Sequence, residues 1–124
     1  MIYNREMTEE QARAAIDAGE FTEPAAAAEN VAIVMTQDWC PDWIRMKVWL
    51  ESWEKKEKPA GGDVTVYRII YNTVPFRKEF MAFKEQTLGN RNIPYIRYYK
   101  NGEFIGDSNG VSAAAFLERF GISE

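Results

Sequence analysis

The chain carries a single cysteine, Cys40, in the pentapeptide Trp39-Cys40-Pro41-Asp42-Trp43. It follows an apolar run and precedes a long helical pattern, so a strand feeding a helix places the sulfur at the helix N-terminus. There the aligned peptide dipoles act like roughly half a positive charge and favour thiolate over thiol. First-turn N–H groups, with Arg45 and Lys47, add to that effect. Asp38 and Asp42 oppose it by like-charge repulsion, and Trp43 opposes it by desolvation. A thiolate at such a position is the nucleophile of thiol–disulfide exchange. The alternative is an inert, buried cysteine that packs as a small hydrophobe. Trp43 stands where a C-x-x-C motif has its second thiol, so no disulfide can close within one chain.

The rest of the composition removes other chemistries. There is no histidine in the 124 residues. That excludes Ser-His and Cys-His catalysis within one subunit. With one cysteine it also argues against a zinc site. Neither G-x-G-x-x-G nor G-x-x-x-x-G-K is present, and carboxylates read as a solvated face. No metal and no cofactor are expected. A net charge of -4 without a basic run gives no support for nucleic-acid binding. No apolar run is long enough to span a bilayer. The opening residues 1–7 lack a charged-then-apolar signal pattern, and a lone cysteine fits a reducing, cytoplasm-like compartment.

Apolar residues at 46% and charged residues at 27% suit one globular domain of this length. Thr8-Glu9-Glu10-Gln11 reads as a capping box opening a helix that stops at Gly19. A second short helix is expected after Thr22, with Pro24 in its first turn. Val31-Ala32-Ile33-Val34-Met35 reads as a strand covered on both faces. From Pro41 to about Lys56, Trp43, Met46, Leu50 and Trp53 recur at helical offsets. Residues 64–71 read as a strand, Thr73 as the cap of a helix carrying Phe76, Phe80 and Phe83, and Gly89 as its stop. Ile93 to Tyr99 and Phe104 to Gly106 flank Lys100-Asn101-Gly102-Glu103, a hairpin signal because Asn and Gly tolerate positive φ. Ser112 caps a last helix bearing Phe116, Leu117 and Phe120. A β-α-β unit with a right-handed crossover, then a helix, a hairpin and a helix, form one mixed sheet with helices on both faces.

With that order in place, three local matches resemble the thioredoxin-like superfamily. Trp39-Cys40-Pro41-Asp42-Trp43 resembles its redox loop with the second cysteine lost. Ile93-Pro94-Tyr95 resembles the segment whose proline is cis and faces the active thiol. Lys100-Asn101-Gly102-Glu103, with Gly110 and the last helix, is similar to the C-terminal hairpin and helix. The resemblance implies an α/β thioredoxin-like fold with a mixed sheet of about four strands, its core at 31–120. Residues 1–30 form a helical extension in place of the family's first strand. It further implies monothiol exchange, with Cys40 as nucleophile and Trp39, Pro41, Trp43, Ile93, Pro94 and Tyr95 around the substrate. Trp39, Trp43 and Tyr95 would form an aromatic rim; packing in the core is the equal alternative for Trp43. The implied partner is a protein disulfide or a low-molecular-weight thiol. Val34 occupies the place of a buried, proton-moving aspartate, and Gln37-Asp38 lacks the basic residue by which glutaredoxins hold glutathione. Those departures keep a second reading open: a binding or adaptor module on the same fold that has lost dithiol redox activity.

Overall fold

A computed structural model describes residues 1–123. Five strands form one mixed sheet in the order β1-β3-β2-β4-β5. These are β1 (Ile2–Glu6), β2 (Asn30–Thr36), β3 (Val64–Ile70), β4 (Tyr95–Lys100) and β5 (Glu103–Ser108). The helices are α1 (Glu9–Ala18), α2 (Pro41–Lys55), α3 (Arg77–Ala82) and α4 (Ala113–Glu118). β1 and β2 flank β3 in parallel, while β4 runs antiparallel to both β2 and β5.

Every residue of β2 is buried, as a strand covered on both faces requires. Its side chains alternate between two apolar clusters. Ala32 and Val34 join Trp43, Met46, Leu50 and Trp53 of α2, Phe116 of α4 and Phe120 just beyond it. Val31, Ile33 and Met35 join Ala12 and Ala15 of α1 with Phe80 and Phe83 on the other face. The Thr8–Gln11 capping box forms reciprocally, and Gly19 closes α1 in the left-handed conformation. Asn101 and Gly102 both take positive φ, 52° and 82°, the requirement of a type I′ hairpin turn.

Three expectations need correction. Residues 2–6 form a strand, not a helical extension, which brings the sheet to five strands. Only Ile2 of that strand is buried, so no apolar alternation marks it. Its placement comes from pairing with β3, from the Asn4 N–H donating to Glu54 Oε2 at 2.9 Å, and from the terminal ammonium donating to Gly62 O at 2.6 Å. Thr73 does not cap α3; its hydroxyl donates to Ile70 O at 2.7 Å. Pro75 forces Val74 into extended backbone, so helix begins only at Arg77. The segment after Thr22 is a single 3-10 turn, Pro24–Ala26. Beyond α3 the chain widens into a π turn, Phe83–Thr87, which buries both Phe83 and Lys84 before Gly89 turns away.

Candidate functional site

β2 delivers the chain to Gln37, and the Cys40 N–H donates to Gln37 O at 3.2 Å to close a tight turn. Cys40 is the N-cap of α2, in extended backbone, with no hydrogen bond from its side chain to the helix. Pro41 at the first helical position has no N–H to offer, so the amides of Asp42 and Trp43 are the nearest unpaired donors. Asp42 is paired with Arg45. Asp38 is held by Asn72, which donates to its carboxylate at 2.8 Å and accepts its N–H at 3.0 Å. Both carboxylates flanking the thiol are therefore engaged.

The same loop is tied to the end of β3 by a short relay. The Trp39 indole N–H donates to Gln37 Oε1 at 2.6 Å, and Gln37 Nε2 donates to the Tyr71 hydroxyl at 3.1 Å. Burial pushes the Tyr71 phenol up, and the Gln37 donor pulls it partly back.

Across the sheet, Met35 pairs with Tyr95, which brings the start of β4 beside the end of β2. The Ile93–Pro94 peptide is cis, as is Lys58–Pro59. Pro94 O accepts from Asn109 Nδ2 at 3.2 Å, and Asn109 and Asn90 exchange side-chain hydrogen bonds at 2.9 Å each way. Lys84 Nζ donates to Asn90 O at 2.9 Å. Lys84 is fully buried, and that burial lowers its pKa to about 8 against a partial restoring pull from Glu85. The Ile93 N–H and carbonyl make no hydrogen bond among the described residues.

The residues expected around the thiol divide sharply by exposure. Trp39 is 61% exposed and Pro41 is exposed, while Ile93 is half-buried. Pro94 is buried. Cys40 is only 3% exposed, where an accessible sulfur was expected. It belongs to the cluster beneath α2 and α4, whose packing closes over the helix start. Trp43 is 3% exposed in the same cluster, so the aromatic rim loses it to the core. Tyr95 is also core: its hydroxyl donates to Asp107 at 2.8 Å and accepts from Arg97 at 3.0 Å. Val34 is buried and apolar. A cavity of about 490 Å³ runs between Asp42, Arg45, Trp49 and residues 109–113 and is not lined by Cys40.

Sequence reading did not single out Tyr71, Asn72, Lys84, Asn90 or Asn109. These residues reach the site through pairings that span the chain, and no local spacing announces them.

No family model matches the chain, and no curated protein matches it by sequence. Solved structures do match. Thioredoxin O1 from Arabidopsis thaliana, in its oxidised state, superimposes with a TM-score of 0.64 at 14% identity, covering 94% of this chain and 93% of that one. The thioredoxin Mala s 13 of Malassezia sympodialis gives 0.60 at 18% identity, with 95% and 90% covered. A putative oxidoreductase with a thioredoxin fold gives 0.59 at 11% identity, with 94% and 93% covered. The chain has the thioredoxin fold. In that fold's terms, Cys40 caps the first helix after the central strand, and Ile93–Pro94 opens the neighbouring antiparallel strand. Among the described residues no helix is long and apolar enough to cross a membrane.

Proposed function

We propose that this protein is a monothiol member of the thioredoxin-like superfamily that exchanges with disulfides through Cys40. The observation that carries the reading is Cys40 at the N-cap of a fifteen-residue helix, its side chain uncommitted to the cap. The Cys40 thiolate attacks one sulfur of a partner disulfide. A Cys40–sulfur bond forms, the partner's S–S bond breaks, and the departing sulfur leaves with the electron pair and takes a proton from water. A second thiol, either a low-molecular-weight thiol or another cysteine of the partner, attacks the mixed disulfide and releases Cys40 as thiolate. With Val34 in place of a carboxylate, the protons exchange with solvent.

The unpaired backbone of Ile93 supports pairing with an extended segment of the partner, as in strand addition. Trp39 supplies the exposed apolar contact beside it. Since Cys40 is buried, exchange on this reading proceeds through a local opening at the start of α2, which we place at the 37–39 turn; the Trp39 ring there makes one side-chain hydrogen bond among the described residues, to Gln37. The expected setting is a reducing, cytoplasm-like compartment, where a single thiol stays free. A second reading rests on that same burial and on the missing resolving thiol. In it, the fold is a binding module that captures partners at Trp39 without exchange.

Trapping of cellular mixed disulfides separates the two. Exchange predicts adducts on the wild type that vanish in Cys40→Ser and in reductant. The binding reading predicts capture that survives both and is lost in Trp39→Ala.

A further inference from the structure

Beside the Cys40 loop lies a cavity of about 230 Å³ lined by Gln37, Tyr71, Asn72, Arg77, Lys78 and Met81. It shares Gln37 and Tyr71 with the relay that holds Trp39, and Asn72 with the pair that holds Asp38. Met81, an exposed apolar side chain of α3, and the almost fully buried Tyr71 are among its lining. Two cations stand over it. Among the described residues neither Arg77 nor Lys78 is in an ion pair, although the chain carries an excess of acidic side chains. The nearby carboxylates are engaged elsewhere: Glu79 faces Arg13, Glu85 faces Arg91, and Asp38 is held by Asn72. A small apolar recess beneath two unpaired cations and amide donors matches a short side chain with an apolar stem and a carboxylate end.

We propose that this cavity is a specificity site that receives an acidic side chain, above all glutamate, flanking the reactive cysteine of a partner protein. The proposal deepens the exchange reading and rests on it for the position of the cavity along the partner segment. The recess takes Gln37 from the Cys40 loop and Tyr71 and Asn72 from the end of β3, which flanks β2 on the side away from β4, the strand that Ile93–Pro94 opens. A partner segment running past Cys40 would set one flanking residue over Tyr71 and Met81. Electrostatic attraction of this kind raises association rates and partner discrimination more than it raises intrinsic affinity.

The test uses short peptides whose cysteine is activated as a pyridyl disulfide, with Glu, Gln or Lys placed in turn at each flanking position. Release of pyridinethione reports attack by Cys40. At low salt the Glu peptide is expected to react about threefold to tenfold faster than Gln at one position, with Lys slowest. The ratio should shrink toward unity at about 0.5 M salt, where the screening length is only a few ångströms. In the Arg77→Glu/Lys78→Glu double variant the order of Glu and Lys should invert; both residues are exposed, so folding is preserved. Equal rates for Glu and Gln at every position, or an unchanged order in the double variant, would overturn the proposal. A parallel arm keeps it separate from the exchange reading. With Cys40→Ser protein and the same peptides carrying serine, nuclear magnetic resonance follows the Gln37 side-chain amide and the Trp39 indole N–H. Saturable shifts with Glu but not Gln support the cavity even if Cys40 attacks none of the peptides. Absence of shifts with all of them counts against it.

Discussion

Lys84→Met tests whether the lysine under the Pro94 loop is held charged at a cost. The side chain is fully buried next to the Tyr95 ring, with its ammonium on Asn90 O. A fall from 10.5 to about 8 corresponds to about 3 kcal/mol against the charged form. Asn90 is only half-buried, so solvent screens part of this, and we take about half. Methionine removes that cost and gives up one charge-assisted hydrogen bond worth about 1.5–3 kcal/mol. At neutral pH the variant should therefore match the wild type or fall below it by up to about 1.5 kcal/mol. The sign of the pH dependence follows from proton counts. Between about 8 and 10.5 the unfolded chain holds the lysine proton and the folded chain has lost it, so wild-type stability rises with pH in that window. Below about 8 both states are protonated and the full cost is present. Urea unfolding from neutral pH to about 9.5 should show the wild type gaining about 1–2 kcal/mol on the variant. Parallel curves for the two proteins would refute the reasoning.

Three further outcomes follow from the geometry. Arg97 donates to Tyr99, Tyr95 and Glu20 at 2.8, 3.0 and 2.7 Å with its guanidinium almost wholly buried. Glu20→Gln strips its counter-charge and should cost about 2–3 kcal/mol in urea unfolding, and Arg97→Lys should not rescue the fork; a loss below about 0.5 kcal/mol would contradict this. Asn101→Ala removes the short polar side chain that lets Asn tolerate left-handed backbone at φ 52° and should lower stability by about 1 kcal/mol, whereas Asn101→Gly should be nearly neutral. Val34→Asp places a carboxylate in a fully apolar cluster and should lose at least about 3 kcal/mol at neutral pH, with part regained in acid as the group protonates.

Much of the architecture was legible because its signals are local. The unbroken apolar run 31–35, the offsets of Trp43, Met46, Leu50 and Trp53, and the Asn101-Gly102 turn each announce an element by themselves. β1 was not legible because its stability lies in pairing with β3 and in Glu54, both far along the chain. The site was half legible. The motif located Cys40 at a helix start, but burial depends on what α2 and α4 enclose, and no spacing reports it. For the same reason Trp43 reads as equally suited to rim and core and Tyr95 reads as rim alone, and packing puts both in the core. The Lys84–Asn90–Asn109–Pro94 connection joins residues whose types carry no pattern at all.

The central claim is that a buried Cys40 still exchanges from the folded protein by opening of the 37–39 turn. Intact-mass spectrometry after mixing with a small neutral disulfide measures this directly, comparing native and urea-unfolded protein with Cys40→Ser as control. The account predicts one adduct on native wild type, formed far faster than global unfolding permits and absent from the control. An adduct that appears only in urea, or in native buffer only at the rate of global unfolding, would contradict it.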